Sequence, residues 1–431
     1  MFVGITNTPR DYAWGSSSAI AELLGTEPSG GPEAELWLGA HAGSPSRILD
    51  PSSVGGARTL ADWIAADPAT ALGPVANGFR EGDGPYLPFL LKVLAAASPL
   101  SLQAHPTIER ARSGFAREDE EGVPGDAPHR NYKDELHKPE LIYALSDRFD
   151  ALCGFRDVDE VRAVVTALAE SDERPGDGRR DLFDRILAEL APGEDAGTGL
   201  RAVFEWLSAG GDDVSALVER VVRAAKDVAR GGRFERELAV VARLAETYPG
   251  DPGIVTSLLL NSVSLRRGEA LYLPAGNIHA YLEGLGVELM AASDNVLRGG
   301  LTPKHVDVAE LLEVLEFTPL PVPYLAPESP APGVEVFRPD VPDFLLVRVS
   351  LDGATGAADV DIAGPAIAIC TSGEVSMTGE SSASSLARGE SAYVTPDEGR
   401  LALSGQGEVF LATVGGIPAV GGQTPPRTIT G

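Results

Sequence analysis

The sequence of 431 residues predicts a mainly β protein with a helical insert between two β regions. First, residues 1–155 contain short apolar stretches, such as 34–39 and 87–97, that are broken by Gly, Pro and Ser. Second, helical periodicity takes over between residues 157 and 246. Third, short strands with glycine turns return after residue 333. Together these observations predict two β domains separated by a helical one.

Composition narrows the possible partners and the compartment. The formal net charge of −28 argues against nucleic acid or an anionic membrane surface as a partner. There is no apolar run long enough to span a membrane, and residues 1–10 lack a secretory signal. The two cysteines, Cys153 and Cys370, are far apart, which fits a reducing compartment. We therefore expect a soluble cytoplasmic protein, and a monomer.

The helical region and its borders set the predicted domains. Val161, Val164, Val165 and Leu168 follow helical spacing, as expected for an amphipathic helix. Residues 109–137, which are rich in charge, Gly and Pro, predict a loop with one short helix. Thr302-Pro303 predicts a later helix with Thr as its N-cap, and the Pro-rich residues 319–332 predict a linker. The predicted domains are a catalytic domain at 1–156 and 247–320, a helical domain at 157–246, and a C-terminal β domain at 321–431.

An alternating segment at residues 98–106 could carry chemistry. In an extended chain Ser101, Gln103 and His105 share one face, opposite a face of apolar residues. Buried polar groups need partners, which a metal ion or a polar substrate would supply. A solvated strand face would need none, and the spacing alone leaves both interpretations open.

Residues 268–279 follow the spacing G-x5-P-x-G-x2-H, which resembles the second motif of the cupin barrels. Gly268 and Gly276 suit tight turns, and His279 would project into the barrel as a metal ligand. Residues 388–399 repeat the turn, strand and turn without the histidine. We expect a cupin-like (jelly-roll) catalytic β-barrel and a second cupin-like C-terminal β domain without metal.

Two further segments combine charged and small residues. In the segment 137–140, Pro139 favours an extended conformation for Lys138, so that Lys138 and Glu140 could share a face. An ordinary surface ion pair is the alternative interpretation. The second segment, residues 286–304, is either a polar loop or part of a binding site, and its polar residues include Glu288, Asp294, Asn295, Arg298 and Lys304.

In combination these segments resemble the type I mannose-6-phosphate isomerases over about residues 1–320. The matching stretches are 12–15, 35–41, 102–106, 137–140 and 274–304. The resemblance implies one Zn²⁺ ion, held by Gln103, His105, Glu140 and His279, and an arginine beside the reacting carbons, Arg298. Thr107 and Ile108 depart from the family pattern without changing a predicted ligand, and the C-terminal domain is the least similar part.

The implied enzyme interconverts mannose 6-phosphate and fructose 6-phosphate, in carbohydrate metabolism that includes GDP-mannose biosynthesis. Two imidazoles, one carboxylate and one amide would leave the zinc site with a charge of about +1, so the ion stays a Lewis acid. A proton would move between C2 and C1 through an enediolate, with Arg298 stabilising its charge. Glu288, or alternatively Asp294, would transfer the proton. The predicted substrate-binding residues are Trp14, Lys92, Ser101, Lys138, Tyr281, Asp294 and Lys304.

Two other classes of protein compete with this interpretation. An iron-dependent cupin dioxygenase would use two histidines and one carboxylate with open positions, but Gln103 would fill one of those positions. A non-catalytic sugar-binding cupin would need a partner surface, and the acidic composition gives no support for nucleic acid as that partner.

Overall fold

The computed structural model describes residues 1–78, 84–172, 181–193, 195–228 and 232–416. The helices in chain order are α1 (Ala19–Leu24), α2 (Leu60–Ala66), α3 (Pro68–Leu72), α4 (Ile108–Glu120), α5 (Val158–Ser171), α6 (Asp181–Glu189), α7 (Ala196–Ala209), α8 (Asp212–Val228), α9 (Glu235–Thr247), α10 (Gly253–Thr256) and α11 (Val308–Val314). Short 3₁₀ turns lie at Pro51–Val54, Gly73–Asn77, Ser257–Leu259 and Pro396–Glu398.

The strands form two antiparallel sheets. In chain order they are β1 (Phe2–Thr6), β2 (Glu35–Leu38), β3 (Arg47–Ile48), β4 (Phe89–Ala96), β5 (Leu102–Ala104), β6 (Glu140–Ala144), β7 (Phe149–Phe155), β8 (Leu260–Leu265), β9 (Ala270–Leu273), β10 (His279–Ala291), β11 (Leu297–Gly300), β12 (Glu328–Ala331), β13 (Val334–Phe337), β14 (Leu345–Leu351), β15 (Ala357–Asp361), β16 (Ala366–Thr378), β17 (Ala383–Ala387), β18 (Ser391–Val394) and β19 (Arg400–Thr413). This architecture confirms the predicted mainly β fold with a helical insert.

The site sheet, which comprises β2 and β4–β11, is organised around the long strand β10. Along its length β10 pairs with β4 and β6 and, nearer its start, with β5 and β7. The register shifts between Tyr281 and Glu283, which marks a β-bulge. Because of this extra residue, the odd-numbered His279 and Tyr281 share a face with the even-numbered Glu288, while Val287 and Leu289 pack on the opposite side.

The helical insert comprises α5–α9, as the periodicity of the sequence predicts. Helix α5 begins after Asp157, whose side chain accepts hydrogen bonds from the backbone N–H groups of Asp159 and Glu160. The apolar faces of the helices bury residues such as Val164, Phe204 and Leu217 in one continuous core. That core reaches the site sheet through Leu102 and Ala280, so the helices pack directly against two strands that carry site residues.

The second sheet runs in the order β12-β13-β14-β19-β16-β18-β1-β3, with β15 and β17 on the long strands β19 and β16. One of its faces packs on the outer face of the site sheet, through residues such as Phe410 and Leu289. Its other face forms a separate aliphatic core around Val349 and Leu403. Strand β1 pairs with β18, so residues 2–6 are hydrogen-bonded within this sheet.

The one helix expected within the predicted loop at 109–137 forms as α4 (Ile108–Glu120), capped by the Thr107 side chain. Two other local predictions are wrong. The predicted helix at Thr302-Pro303 instead begins at Val308, because Asp307 is the residue that caps the Glu310 N–H. The predicted linker contains β12. No helix of the described residues is long and apolar enough to cross a membrane. The domain boundaries stay predictions, and residues 417–431 lie outside the described part of the chain.

Candidate metal centre

A buried cluster of two histidines and one glutamate lies on the inner face of the site sheet. His105 follows β5, Glu140 begins β6 and His279 begins β10. One ligand atom from each lies within 4.8 Å of the others, and all three residues are at most 1 % exposed. His105 Nε2 is 3.3 Å from Glu140 Oε1, and His279 Nε2 is 3.2 Å from Glu140 Oε2. The distances suit three ligands around a common point.

The backbone sets the tautomer of each imidazole. His105 Nδ1 lies 2.7 Å from the carbonyl oxygen of Asn295, and His279 Nδ1 lies 3.0 Å from that of Asn277. A carbonyl only accepts hydrogen bonds, so Nδ1 carries the proton in both rings and Nε2 keeps a free lone pair. Burial lowers the pKa of His105 to about 4, so this imidazole is neutral at pH 7. Neutral imidazoles are the form that binds metals.

The donor set passes a test for a metal site. His105 Nε2 and Glu140 Oε2 are buried and have no well-aligned hydrogen-bond partner among the described residues. Their nearest charged or polar neighbours are Glu140 Oε1 for His105 Nε2 and His279 Nε2 for Glu140 Oε2. Buried polar atoms are normally satisfied, so these two atoms require a partner that the side chains do not supply. Nitrogen and oxygen donors of this type fit Zn²⁺.

Gln103, the fourth predicted ligand, reaches the same cluster. It is paired with His279 in the sheet, and its Nε2 lies 3.3 Å from His279 Nε2. In this orientation the amide donates to the imidazole lone pair. A half-turn of the amide would present Oε1 instead, and the two orientations are nearly isosteric. The structure therefore brings all four predicted ligands together.

Lys138 lies beside the cluster, as its position two residues before Glu140 suggests. Its ammonium is 3.1 Å from Glu140 Oε1 and is buried with it, so the surface ion pair weighed as an alternative is wrong. Burial alone would raise the pKa of Glu140, but the charge of Lys138 holds it well below its ordinary range. The ligand carboxylate is therefore ionised.

A second buried cluster of charged residues lies on the neighbouring strands β4, β10 and β2. Lys92 Nζ is 2.8 Å from Glu288 Oε2 and 3.4 Å from Glu35 Oε1, and it also lies 5.1 Å from the ring centroid of Trp37. Burial and the negative charges of Glu140 and Glu35 raise the pKa of Glu288, despite the attraction of Lys92. The Lys92 ammonium thus forms ion pairs with both Glu35 and Glu288, and Glu288 is the carboxylate that binds a proton more readily than usual.

Tyr281 also faces this group. It is 1 % exposed, and its hydroxyl has no aligned partner among the described residues. Burial and the nearby Glu288 raise its pKa well above the ordinary value, so it stays a neutral donor. Trp14 packs at the edge of the same interior, and Ser101 is half-buried just before β5 rather than within a strand.

Asp294 lies at the open side of the site. Its carboxylate is 3.2 Å from His41 Nε2, and its side chain is 54 % exposed. Burial would raise the pKa of Asp294, but the hydrogen bond from His41 and the charges of Lys138 and Lys92 lower it. Asp294 is therefore a weaker base than Glu288, which separates the two candidates that the sequence left equal.

Arg298 and Lys304 supply positive charge near the ligands. Arg298 is paired with Gln103 in the sheet, and it forms no ion pair with any other residue of the described chain. Burial lowers the pKa of Arg298, and burial with the charge of Arg298 lowers that of Lys304. Lys304 is exposed in the loop before α11 and does not lie in the first turn of a helix, where the helix predicted at Thr302-Pro303 would have placed it.

The sequence interpretation missed several residues of this site. Glu35, Trp37 and His41 line it, and all three lie in the stretch 35–41 that carries the family resemblance. Their alternation in β2 was the available signal, since it places Glu35 and Trp37 on the face that Lys92 occupies. Asn295 was noted only as part of a polar segment, and its contact with His105 has no local signal.

The fold and this cluster define the class of the protein: a cupin-type β protein with a buried His-Glu-His cluster in its N-terminal sheet that could hold a metal ion. A family model described as phosphomannose isomerase type I, catalytic domain, matches residues 2–158. Mannose-6-phosphate isomerase of Escherichia coli K12 is 36% identical over 408 residues, which cover 94% of this chain and 97% of that protein. The chain belongs to the mannose-6-phosphate isomerase family.

Solved structures agree. A variant of phosphomannose isomerase from Salmonella typhimurium matches with a TM-score of 0.83 and 34% identity, covering 96% of this chain and 99% of that one. A zinc-bound mannose 6-phosphate isomerase matches with a TM-score of 0.82 and 35% identity over the same shares. These findings confirm the family, and with it the enzyme class, isomerase, that the sequence predicts.

Proposed function

We propose that this chain binds one Zn²⁺ ion through Gln103, His105, Glu140 and His279 and interconverts mannose 6-phosphate and fructose 6-phosphate. The observation that carries the proposal is the buried cluster of three converging ligands with two orphaned donor atoms. When bound, zinc supplies a Lewis acid that stabilises negative charge developing on a substrate oxygen. The four residues hold it in a water-poor interior, where that interaction is strongest.

We infer that Glu288 moves the proton between C2 and C1. Its raised pKa makes it a better base than Asp294, whose carboxylate is stabilised by His41. Lys92, at 2.8 Å, holds the Glu288 carboxylate in place and balances its charge before it takes the proton. The step moves one proton from C2 to C1 and the hydroxyl proton from O2 to O1, so no oxidant or reductant is consumed.

Arg298 and Lys304 have separate roles in the proposed reaction. Arg298 is half-buried and forms no ion pair with the described residues, so its guanidinium is available to the enediolate oxygens. Lys304, exposed at the mouth, would bind the phosphate together with Ser101, because a local cluster must overcome the repulsion of a chain with charge −28. Trp14, Lys138, Tyr281 and Asp294 would line the sugar.

We also propose a compartment, partners and an assembly state for this enzyme. Both cysteines are buried and unpaired, which fits a cytoplasmic enzyme. The acidic charge balance disfavours nucleic acid and anionic membrane as partners. We propose a monomer whose product enters carbohydrate metabolism, including GDP-mannose biosynthesis. Sedimentation of the zinc-loaded enzyme tests the assembly state.

The experiment that tests the reaction is isomerisation in D₂O. Fructose 6-phosphate formed from mannose 6-phosphate is analysed by NMR for deuterium at C1. Proton transfer by a carboxylate that exchanges with solvent predicts partial deuterium incorporation, and Glu288→Gln should abolish turnover while zinc is retained. Turnover with complete retention of the C2 hydrogen would contradict the proton-transfer route. Turnover in Glu288→Gln would remove Glu288 from it.

A further inference from the structure

Asn295 lies next to the metal centre but contributes no atom to it. Its residue is fully buried, and its carbonyl oxygen is the one that accepts from His105 Nδ1 at 2.7 Å. The position of that carbonyl depends on the backbone at 293–295, which is an irregular segment between β10 and β11. Something other than a strand ladder must therefore fix it.

The Asn295 side chain supplies that constraint. Its Oδ1 accepts from the backbone N–H groups of Lys133 at 2.7 Å and Asp134 at 3.3 Å. Its Nδ2 donates to the carbonyl oxygens of Asp134 and Leu136, both at 2.8 Å. Every polar atom of the amide is used, and only a side chain with both an acceptor and two donors can make this set.

Two more side chains close the same junction. Asp134 Oδ1 accepts from Ser293 Oγ at 2.8 Å, and Asp134 Oδ2 accepts from the Asp294 N–H at 2.8 Å. Ser293 Oγ in turn accepts from the Asn295 N–H at 3.2 Å. We call Asp134, Ser293 and Asn295 the polar clamp. It ties residues 133–136, which lead into Lys138 and Glu140, to residues 293–295, which lead into Arg298.

We propose that Asn295 is a positioning residue for the metal: through the polar clamp it places the carbonyl that directs the His105 Nε2 lone pair to the ion. This inference rests on the proposed zinc site. Ligand histidines are commonly oriented by such an outer hydrogen bond, and its loss lowers metal affinity by about 10- to 100-fold. Here the orienting group is a backbone carbonyl, so the residue that controls it is the one that fixes the backbone.

The test is Asn295→Asp in the zinc-loaded enzyme, because it keeps the shape but turns two donors into an acceptor facing two carbonyls. Zinc content is measured after dialysis against a series of zinc buffers. We expect the affinity for zinc to fall by about 10- to 100-fold. In parallel, ¹⁵N NMR of labelled histidine in the zinc-depleted enzyme should show the His105 tautomer, fixed with Nδ1–H in the parent chain, become mixed in the variant.

The matched control is Asn261→Asp. Asn261 Nδ2 donates to the backbone carbonyls of Cys153, Gly154, Phe155 and Leu320, so the substitution breaks a similar set of bonds without touching His105. The control should lose thermal stability but keep its zinc affinity. If both variants lose zinc equally, Asn295 has a structural role only and the proposal is overturned. Unchanged zinc affinity in Asn295→Asp also overturns it.

A milder variant covers the case in which Asn295→Asp does not fold. Ser293→Ala removes one member of the clamp and should weaken zinc binding by about 3-fold. An affinity equal to that of the parent chain would overturn the clamp. His105→Ala separates the two proposals: if it retains full zinc affinity, the metal site itself is misplaced, whereas zinc loss in His105→Ala with none in the clamp variants refutes only the inference.

Discussion

The two sheets share a sequence unit but differ in how they treat buried carboxylates. The units at 268–279 and 388–399 both form a glycine turn followed by a short strand, β9 in one and β18 in the other. In the second, Glu398 is fully buried, and it accepts from the backbone N–H groups of Ser381 and Ser382 at 2.9 and 3.1 Å. In the site sheet, Glu140 is equally buried but keeps an oxygen without an aligned partner.

The two sheets also differ in the residues that they bury on their inner faces. The inner face of the second sheet is aliphatic, with residues such as Val349, Cys370 and Leu403. The inner face of the site sheet holds Lys92 and Glu288 among its apolar residues. A satisfied carboxylate stabilises its own fold, whereas an unsatisfied one is completed by a ligand. Incomplete hydrogen bonding of a buried carboxylate, and not the strand pattern, therefore distinguishes the site sheet from the second sheet.

Substitution of the two buried glutamates by glutamine should have opposite consequences in the two sheets. Glu140→Gln should lose zinc, and kcat/KM should fall by at least about 1000-fold, more than the loss expected for one transition-state donor. Glu398→Gln should keep zinc and activity but lower the free energy of unfolding by about 1–3 kcal/mol. Zinc analysis, a coupled fructose 6-phosphate assay and urea unfolding measure these effects. Equal zinc content in the two variants would contradict the contrast.

Arginines in the two sheets should behave as differently as the glutamates. Arg298→Ala should lower kcat by about 10²- to 10³-fold with zinc retained and a smaller change in KM. Arg348 lies between Glu335 and Glu408 in the second sheet, and Arg348→Ala should leave kcat unchanged. Steady-state kinetics provides the comparison. A change confined to KM in Arg298→Ala would show that it binds the substrate without serving the transition state.

Truncation of a side chain in the aliphatic core of the second sheet should affect stability and leave zinc binding unchanged. Leu403→Ala removes a side chain that is 1 % exposed, so it should lower the free energy of unfolding by about 2–5 kcal/mol. Zinc affinity of the folded protein should stay the same, because no ligand contacts this core. Urea unfolding with zinc analysis of the folded fraction tests both statements. Zinc loss in this variant would mean that the two sheets do not act separately.

Acid should affect the site sheet through His105. Burial lowers its pKa from 6.5 to about 4, so between these pH values the unfolded chain binds a proton that the folded chain does not. Stability of the zinc-depleted protein should therefore fall as the pH decreases from 6.5 to 4, by an amount on the order of 1–3 kcal/mol. His105→Gln should flatten this part of the profile in urea unfolding. An identical profile in the variant would exclude His105 as the cause.

The smallest expected effect lies at the mouth of the site. Lys304→Ala should raise KM for mannose 6-phosphate by about 10-fold, with zinc content intact, because one charge-assisted contact to phosphate is lost. Lys226→Ala, on the exposed face of α8, is the control and should leave KM unchanged. If neither substitution nor Ser101→Ala changes KM, the phosphate binds elsewhere.

Much of the fold and of the ligand set could be predicted from the sequence, because the signals are local. The helical periodicity of 157–246 and the spacing around His279 both survive in the structure. The predicted ligands also converge, since the motifs that carry them are short and specific. The helix predicted at Thr302-Pro303 failed because an equally good cap, Asp307, lies five residues later and has Glu310 in the position that completes the capping pattern.

What could not be predicted depends on distant partners. Nothing in residues 2–6 indicates that β1 pairs with β18, nearly the whole chain away. The β-bulge that brings Glu288 to the face of His279 is invisible in a pattern of alternation, which would place the two on opposite faces. Asn295 acts through hydrogen bonds to residues about 160 positions earlier, so its function has no local sequence signal.

We propose that the His-Glu-His cluster carries the isomerase activity through one bound zinc ion. The most direct measurement is activity against zinc content during stepwise reloading of the depleted enzyme, with mannose 6-phosphate as substrate and fructose 6-phosphate formation as the readout. We expect the activity to rise in proportion to bound zinc and to reach its plateau at one ion per chain, and we expect no rise in Glu140→Gln. Full activity in the zinc-free chain, or a plateau reached equally by Glu140→Gln, would contradict it.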